Sequence, residues 1–150
     1  MRKLALFLAL IILLLPLKAA AQEAGFGAGV ILGEPTGISL KNWLTDNTAV
    51  DFGIAWSFTH NGSLHLHADF LVHNFDLTKV KKGRLAVYYG IGGRFKSQKR
   101  ERVGVRFPLG LCYIPEKAPL DIFLEIAPLL DLAPATEFGL TGGIGIRYYF

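Results

Sequence analysis

From Gly25 to Phe150 the apolar residues recur at every second position, in segments of about nine to thirteen residues separated by polar turns, and no stretch holds a helical spacing. Eight strands are predicted, at 25–33, 36–44, 49–58, 64–74, 85–95, 102–114, 120–130 and 138–150. The breaks carry turn residues, as in Gly33-Glu34-Pro35-Thr36, Thr45-Asp46-Asn47-Thr48 and His60-Asn61-Gly62-Ser63. Alternate side chains of a strand point to opposite sides of its sheet, so each segment sorts into two faces. One face collects Phe26, Val30, Phe52, Trp56, Phe70, Ile91, Leu111, Leu124, Ile146 and their like, 43 positions with no charged residue among them. The opposite face alternates glycines such as Gly27, Gly53, Gly92, Gly110 and Gly143 with Lys41, Asp51, His65, His67, Asp69, Arg94, Arg106, Asp121, Glu125 and Arg147.

Volume decides which face is inside. The interior of an eight-stranded barrel is just wide enough to be filled by side chains. Some forty large apolar groups do not fit there, whereas glycines and a few ions do. A soluble barrel would also need a hydrated exterior, and here that exterior would be largely bare glycine. Turned outward, the apolar face meets lipid, and the segments cover the ~9 to 11 residues a tilted strand needs to cross a bilayer. Closure satisfies the backbone hydrogen bonds that lipid cannot. The expected fold is therefore all-β: an eight-stranded antiparallel up-and-down transmembrane β-barrel. The bore charges, Lys41, Arg94, Arg106 and Arg147 against Asp51, Asp69, Asp121 and Glu125, are expected to form an ion-pair network. Buried charge is tolerable only when paired. A lumen bridged in this way is a plug, so no wide aqueous pore is expected.

Residues 1–21 open with Arg2 and Lys3, run apolar from Leu4 to Leu17 and end on Ala19-Ala20-Ala21, the layout of a cleaved secretory signal peptide. The 14-residue apolar run is short of the ~20 residues a spanning helix needs. The expected division is thus a signal peptide at 1–21 and a barrel at 22–150, exported through the Sec pathway. The net charge of +4 would raise nucleic acid as a partner, but without Arg2, Lys3 and Lys18 there remain 13 basic residues against 12 acidic ones. No nucleic-acid footprint is left. Cys112 is the single cysteine, which rules out an internal disulfide and a cysteine-based metal cluster. No cofactor is implied.

The chain stops at Ile144-Gly145-Ile146-Arg147-Tyr148-Tyr149-Phe150. Its outward Ile146, Tyr148 and terminal Phe150 resemble the closing strand of bacterial outer-membrane barrels, which implies an assembly signal read by the barrel assembly machinery. The overall layout resembles the small OmpA/OmpX-like barrels. The segments GEPTGISLKNWL, VYYGIGGRF, VGVRFPLGLCYI, FLEIAPLLDLAP and GGIGIRYYF are similar to a family of short, chiefly spirochaetal outer-membrane barrels defined by a domain of unknown function. That resemblance implies a fold and an outer-membrane location in a diderm bacterium, and it assigns no functional residues. With both ends in the periplasm, the surface loops would lie near 34–35, 59–63, 96–101 and 131–137. The longest connection, 75–84, would be periplasmic, although such barrels usually keep long loops outside.

Three sites compete with plainer explanations. His65, His67 and Asp69 share one strand face, where they could converge on a metal, yet a polar network of imidazoles and carboxylates explains them more simply. No metal is therefore expected. The basic run with Lys96, Lys99 and Arg100 would face outward and suit phosphates, acidic glycans or a host or envelope protein, against the bland reading of a solvated loop. Ser57, His60, Ser63 and Glu137 near the same rim could be read as a lipid A hydrolase, but no motif ties them together. Gly90-Ile91-Gly92-Gly93 and Gly142-Gly143-Ile144-Gly145 lack the following helix of a nucleotide site. The expected protein is a monomer embedded in outer-membrane lipid with a structural or surface-contact role and no catalysis. Its rivals are an adhesin, a lipid A-modifying enzyme and a soluble exported carrier.

Overall fold

The computed structural model describes residues 25–57, 62–77 and 79–150. The expected signal segment and His60 lie outside the described residues. Nine antiparallel strands form one closed sheet: β1 (Phe26–Glu34), β2 (Thr36–Trp43), β3 (Thr48–Ser57), β4 (Ser63–Asn74), β5 (Arg84–Ser97), β6 (Arg102–Arg106), β7 (Leu109–Ile114), β8 (Leu120–Ala133) and β9 (Glu137–Tyr149). Apart from β6 and β7, each strand pairs with its chain neighbours, and β1 pairs with β9 from Gly27↔Tyr149 to Glu34↔Gly142, which closes the ring. Closure leaves no sheet edge to aggregate.

The ninth strand is a correction to the eight expected. The segment predicted at 102–114 is cut into β6 and β7, both of which lie between β5 and β8. The cut falls at Pro108, which has no N–H to give to the ladder. The wall does not open there, because Gly90 N donates to the Pro108 carbonyl and Phe107 N to that of Pro128. The ring therefore still has eight staves, one of them broken.

The faces sort as the alternation requires. Val30, Leu32, Trp56, Ile91, Leu124, Ile126, Leu140 and Ile144 stand outside, each between 47% and 66% exposed. Lys41, Asp51, Asp69, Arg106, Asp121, Glu125 and Arg147 stand inside, none more than 5% exposed. The bore is less uniformly polar than the alternation suggests. Leu71, Ala86, Tyr88, Cys112 and Phe123 share the inward parity and form a small apolar cluster, backed by Ile31, Phe75 and Ile114.

One end of the ring carries the short connections after β1, β3, β5 and β8, and is called here the loop end. The other carries both ends of the described chain and the connections after β2, β4, β7. On that end Asn74 Oδ1 accepts from the N–H groups of Asp76 and Leu77 at 2.9 and 3.2 Å, which starts the longest turn. Gly83 ends it at φ 77°, a left-handed conformation that favours glycine.

Candidate functional site: the charged bore and its mouth

The ionised residues form three tiers along the bore. At the terminal end the Lys41 ammonium donates to His73 Nε2 at 2.8 Å, lies 4.2 Å above the Trp43 ring and is 3.8 Å from Asp121. Asp121 also accepts from Arg147 Nε at 3.0 Å and from the Tyr149 hydroxyl at 2.5 Å. Asp121 and Arg147 face each other across the β8–β9 ladder, so their register sets the pair directly. The Arg147 guanidinium stacks on Phe123 at 3.9 Å and reaches over Gly29 of β1 to Ser39 at 3.3 Å. His73, Trp43 and Phe75 stack beneath this tier, with ring centroids 4.4 Å apart for His73 and Trp43.

In the middle tier Arg106 donates to Glu125 through Nη2 and its Nε lies 3.2 Å from Asp69. The Tyr88 hydroxyl donates to the other Glu125 oxygen at 2.8 Å. Asp51 lies 3.9 Å from Arg147 Nη1. At the loop end Arg94 makes a forked pair with Asp131, Nε to Oδ1 at 2.9 Å and Nη2 to Oδ2 at 2.6 Å. Arg102 joins Glu137 at 2.6 Å and approaches Asp131 at 3.7 Å. Glu34, Ser57, His65, Arg94, Lys96 and Arg102 border an open recess of about 230 Å³ in the mouth. The largest fully buried side chains, Arg147, Tyr88, Lys41, Leu71 and His73, all belong to the bore and fill it.

Of the eight charged residues read as a lumen network, seven pair among themselves and Arg94 pairs instead with Asp131 at the mouth. Asp131, assigned from sequence to a surface loop, belongs to β8, is 4% exposed and neutralises Arg94. The signal was present, because Asp131 continues the parity of Asp121 and Glu125. Tyr88, Tyr149 and Ser39, also missed, and His73 add hydrogen bonds to these charges, while Asp51 Oδ1 and both Asp69 oxygens are left without one.

The basic loop divides. Lys96 sits in β5, half-buried and turned into the mouth recess, while Lys99 and Arg100 are exposed on the turn. The trio His65, His67 and Asp69 also divides. His65 Nε2 lies 2.9 Å from Ser63 Oγ, whereas His67 approaches Asp69 and Asp51. Of the residues considered for hydrolysis, Ser57 donates to Glu34, Ser63 pairs with His65 and Glu137 pairs with Arg102. Ser57 and Glu137 both border the mouth recess, and Ser57 faces Ser63 across the β3–β4 ladder. Ile146 and Tyr148 lie outside on β9 and Phe150 just beyond its end, at the closing seam, where the Phe150 ring stacks 6.4 Å from Phe26 and meets Tyr148 edge-on at 5.4 Å.

Among solved structures the chain is similar to the N-terminal β-barrel domain of OprF from Pseudomonas aeruginosa, with a TM-score of 0.59 at 14% identity over 83% of this chain and 95% of that one. It is equally similar to a de novo designed transmembrane β-barrel, with a TM-score of 0.59 at 15% identity over 86% and 98%. The fold is that of a transmembrane β-barrel. A weaker likeness, with a TM-score of 0.43 at 13% identity over 84% and 94%, is to Ail, the attachment invasion locus protein of Yersinia pestis. No family model and no curated protein matches the chain. The fold expectation is thus met at the level of small membrane barrels, and the narrower spirochaetal resemblance gains no support from these comparisons.

Proposed function

We propose that this chain is a small integral outer-membrane β-barrel of a diderm bacterium, exported by Sec, inserted by the barrel assembly machinery and monomeric in the bilayer. Its role is structural or one of surface contact, with the bore closed to solutes. The observation that carries this reading is the inversion of an ordinary protein interior. Among the described residues twenty-five large apolar side chains are exposed on the wall and the turns, while the bore buries thirteen polar or charged ones. Lipid is the solvent in which such a molecule is stable, since a monomeric soluble protein rarely exposes so large a contiguous apolar surface. The segment resemblance to short spirochaetal barrels and the aromatic C-terminal strand agree with it.

Cell fractionation with differential detergent extraction tests the reading. The protein is expected in the outer-membrane fraction, released by detergent and migrating faster unheated than boiled. Recovery as a folded species in detergent-free periplasmic extract would refute it and favour the exported carrier. A second reading, contact with an acidic partner at the cell surface, is favoured by the exposure of Lys99 and Arg100 on the turn after β5. Surface protease accessibility of that turn on intact cells distinguishes the loop end as external.

A further inference from the structure

Three side chains of two adjacent strands converge in the middle of the bore. Asp51 of β3 and Asp69 of β4 stand directly opposite each other in the ladder, and His67 precedes Asp69 by two residues on the same face. One ligand atom from each lies within 4.8 Å of the other two. His67 Nε2 is 3.9 Å from Asp51 Oδ1 and 3.8 Å from Asp69 Oδ2.

Opposed like charges destabilise a ladder, and each carboxylate here is only 3% exposed. Positive charge, a cation or a shared proton, has to stand between them. The protein supplies too little of it. With Arg94 and Asp131 neutralising each other at the mouth, the buried cations Lys41, Arg106 and Arg147 face four carboxylates, Asp51, Asp69, Asp121 and Glu125. Asp51 Oδ1 and both oxygens of Asp69 accept no hydrogen bond, and Arg106 Nε, 3.2 Å from Asp69, is misaligned to give one. Buried acceptors of this kind are rare in proteins and costly.

The neighbouring strands leave room around the same atoms. A Cβ on Gly53, the ladder partner of His67, would come within 2.7 Å of both His67 ring nitrogens, and one on Gly92, the partner of Asp69, would collide with Asp69 Oδ1. A void of about 30 Å³, enough for a water-sized guest, is lined by His67 and Arg106 and shares His65 and Arg94 with the mouth recess. The His67 side chain keeps 17% of its surface exposed and lines that void, so His67 is the member of the cluster reached from the loop end, with the two carboxylates buried behind it.

From these observations we propose that Asp51, His67 and Asp69 bind one divalent transition-metal ion of borderline softness, with zinc as its representative. An imidazole nitrogen with two carboxylate oxygens is a donor set such ions accept, and three protein ligands leave a fourth position toward the void. Ligands at ~2.0 to 2.2 Å around a tetrahedral ion stand roughly 3.3 to 3.6 Å apart, so on binding the two His67 distances close by a few tenths of an ångström and the carboxylate oxygens, within 4.8 Å of each other, by up to ~1.5 Å. Arg106 then holds Asp69 and Glu125 from behind, as a partner outside the coordination sphere orients a ligand.

The test uses the full chain refolded in detergent micelles and stripped with chelator. Calorimetric titration with Zn²⁺ is expected to give one ion per barrel, and Co²⁺ to give visible ligand-field absorption that Zn²⁺ abolishes. His67→Gln and Asp69→Asn should each weaken binding at least tenfold, and His65→Gln should leave it unchanged, with faster unheated migration certifying each barrel as folded. In the unsubstituted protein Zn²⁺ should shift the imidazole resonances of His67 and spare those of His65, a readout that needs no variant. No stoichiometric binding, the result expected if Asp51 and Asp69 merely share a proton, would overturn the site. So would binding that survives His67→Gln or that depends on His65.

Discussion

Asp121 shows how much the bore depends on single groups. It is fully buried and is held by Arg147, Tyr149 and Lys41, so removing its charge strands two cations in a medium that cannot hydrate them. Breaking one partner out of a buried ion pair typically costs ~3 to 5 kcal/mol. Asp121→Asn is therefore expected to lower the free energy of unfolding by about that amount, read from urea titration in micelles or vesicles. Arg102→Gln provides the contrast. Its side chain is 34% exposed and pairs with a Glu137 that is 55% exposed, so its loss should cost under ~1 kcal/mol in the same titration. Equal effects would contradict the burial difference on which both expectations rest. The alternation of charge and glycine marked which residues turn inward, but not which of them meet. His67 lies near Asp51 because β3 and β4 are in a register that sets Asp51 against Asp69, and no spacing within β4 carries that information.

At the scale of the strand, parity is the controlling variable, because a shift of one residue exchanges the lipid face for the bore. On β8, Leu124 is 53% exposed and points outward, and Ala127 is fully buried on the other face. Leu124→Arg is expected to cost ~2 to 4 kcal/mol if it meets mid-bilayer lipid, measured by reversible unfolding in lipid vesicles. A harmless Leu124→Arg together with a tolerated aqueous environment for the folded chain would reverse the orientation. Parity was legible from sequence over nearly every strand, since it depends only on the pleat. Strand ends were less legible. The structure extends β8 to Ala133 and thereby turns Asp131 inward, because the alternation persists past the point where Leu132 and Ala133 resemble the start of a loop. Pro108 in turn interrupts a stave that the hydrophobic pattern alone renders continuous.

For the whole molecule, the sealed bore predicts electrical silence. Side chains as large as Arg147, Tyr88, Lys41 and His73 are fully enclosed in it, and the terminal end is further capped by Trp43 and Phe75. Purified barrel in a planar bilayer is expected to give no discrete ohmic steps, and regular large steps would show that the network opens. The chain by itself determined the two-faced strands, their number of crossings and the choice of lipid over water as the outer solvent, because each follows from local alternation and from the volume that a small barrel can enclose. Only ring closure decided the partners inside. Arg147 and Ser39, 108 residues apart, touch because β9 returns to β1 and sets both residues against Gly29, so that β9 and β2 stand one strand apart in the closed wall. Which carboxylates are neutralised, and which are left to seek a cation, is a property of that closed cross-section, where charges from every stave but β1 share one poorly hydrated space.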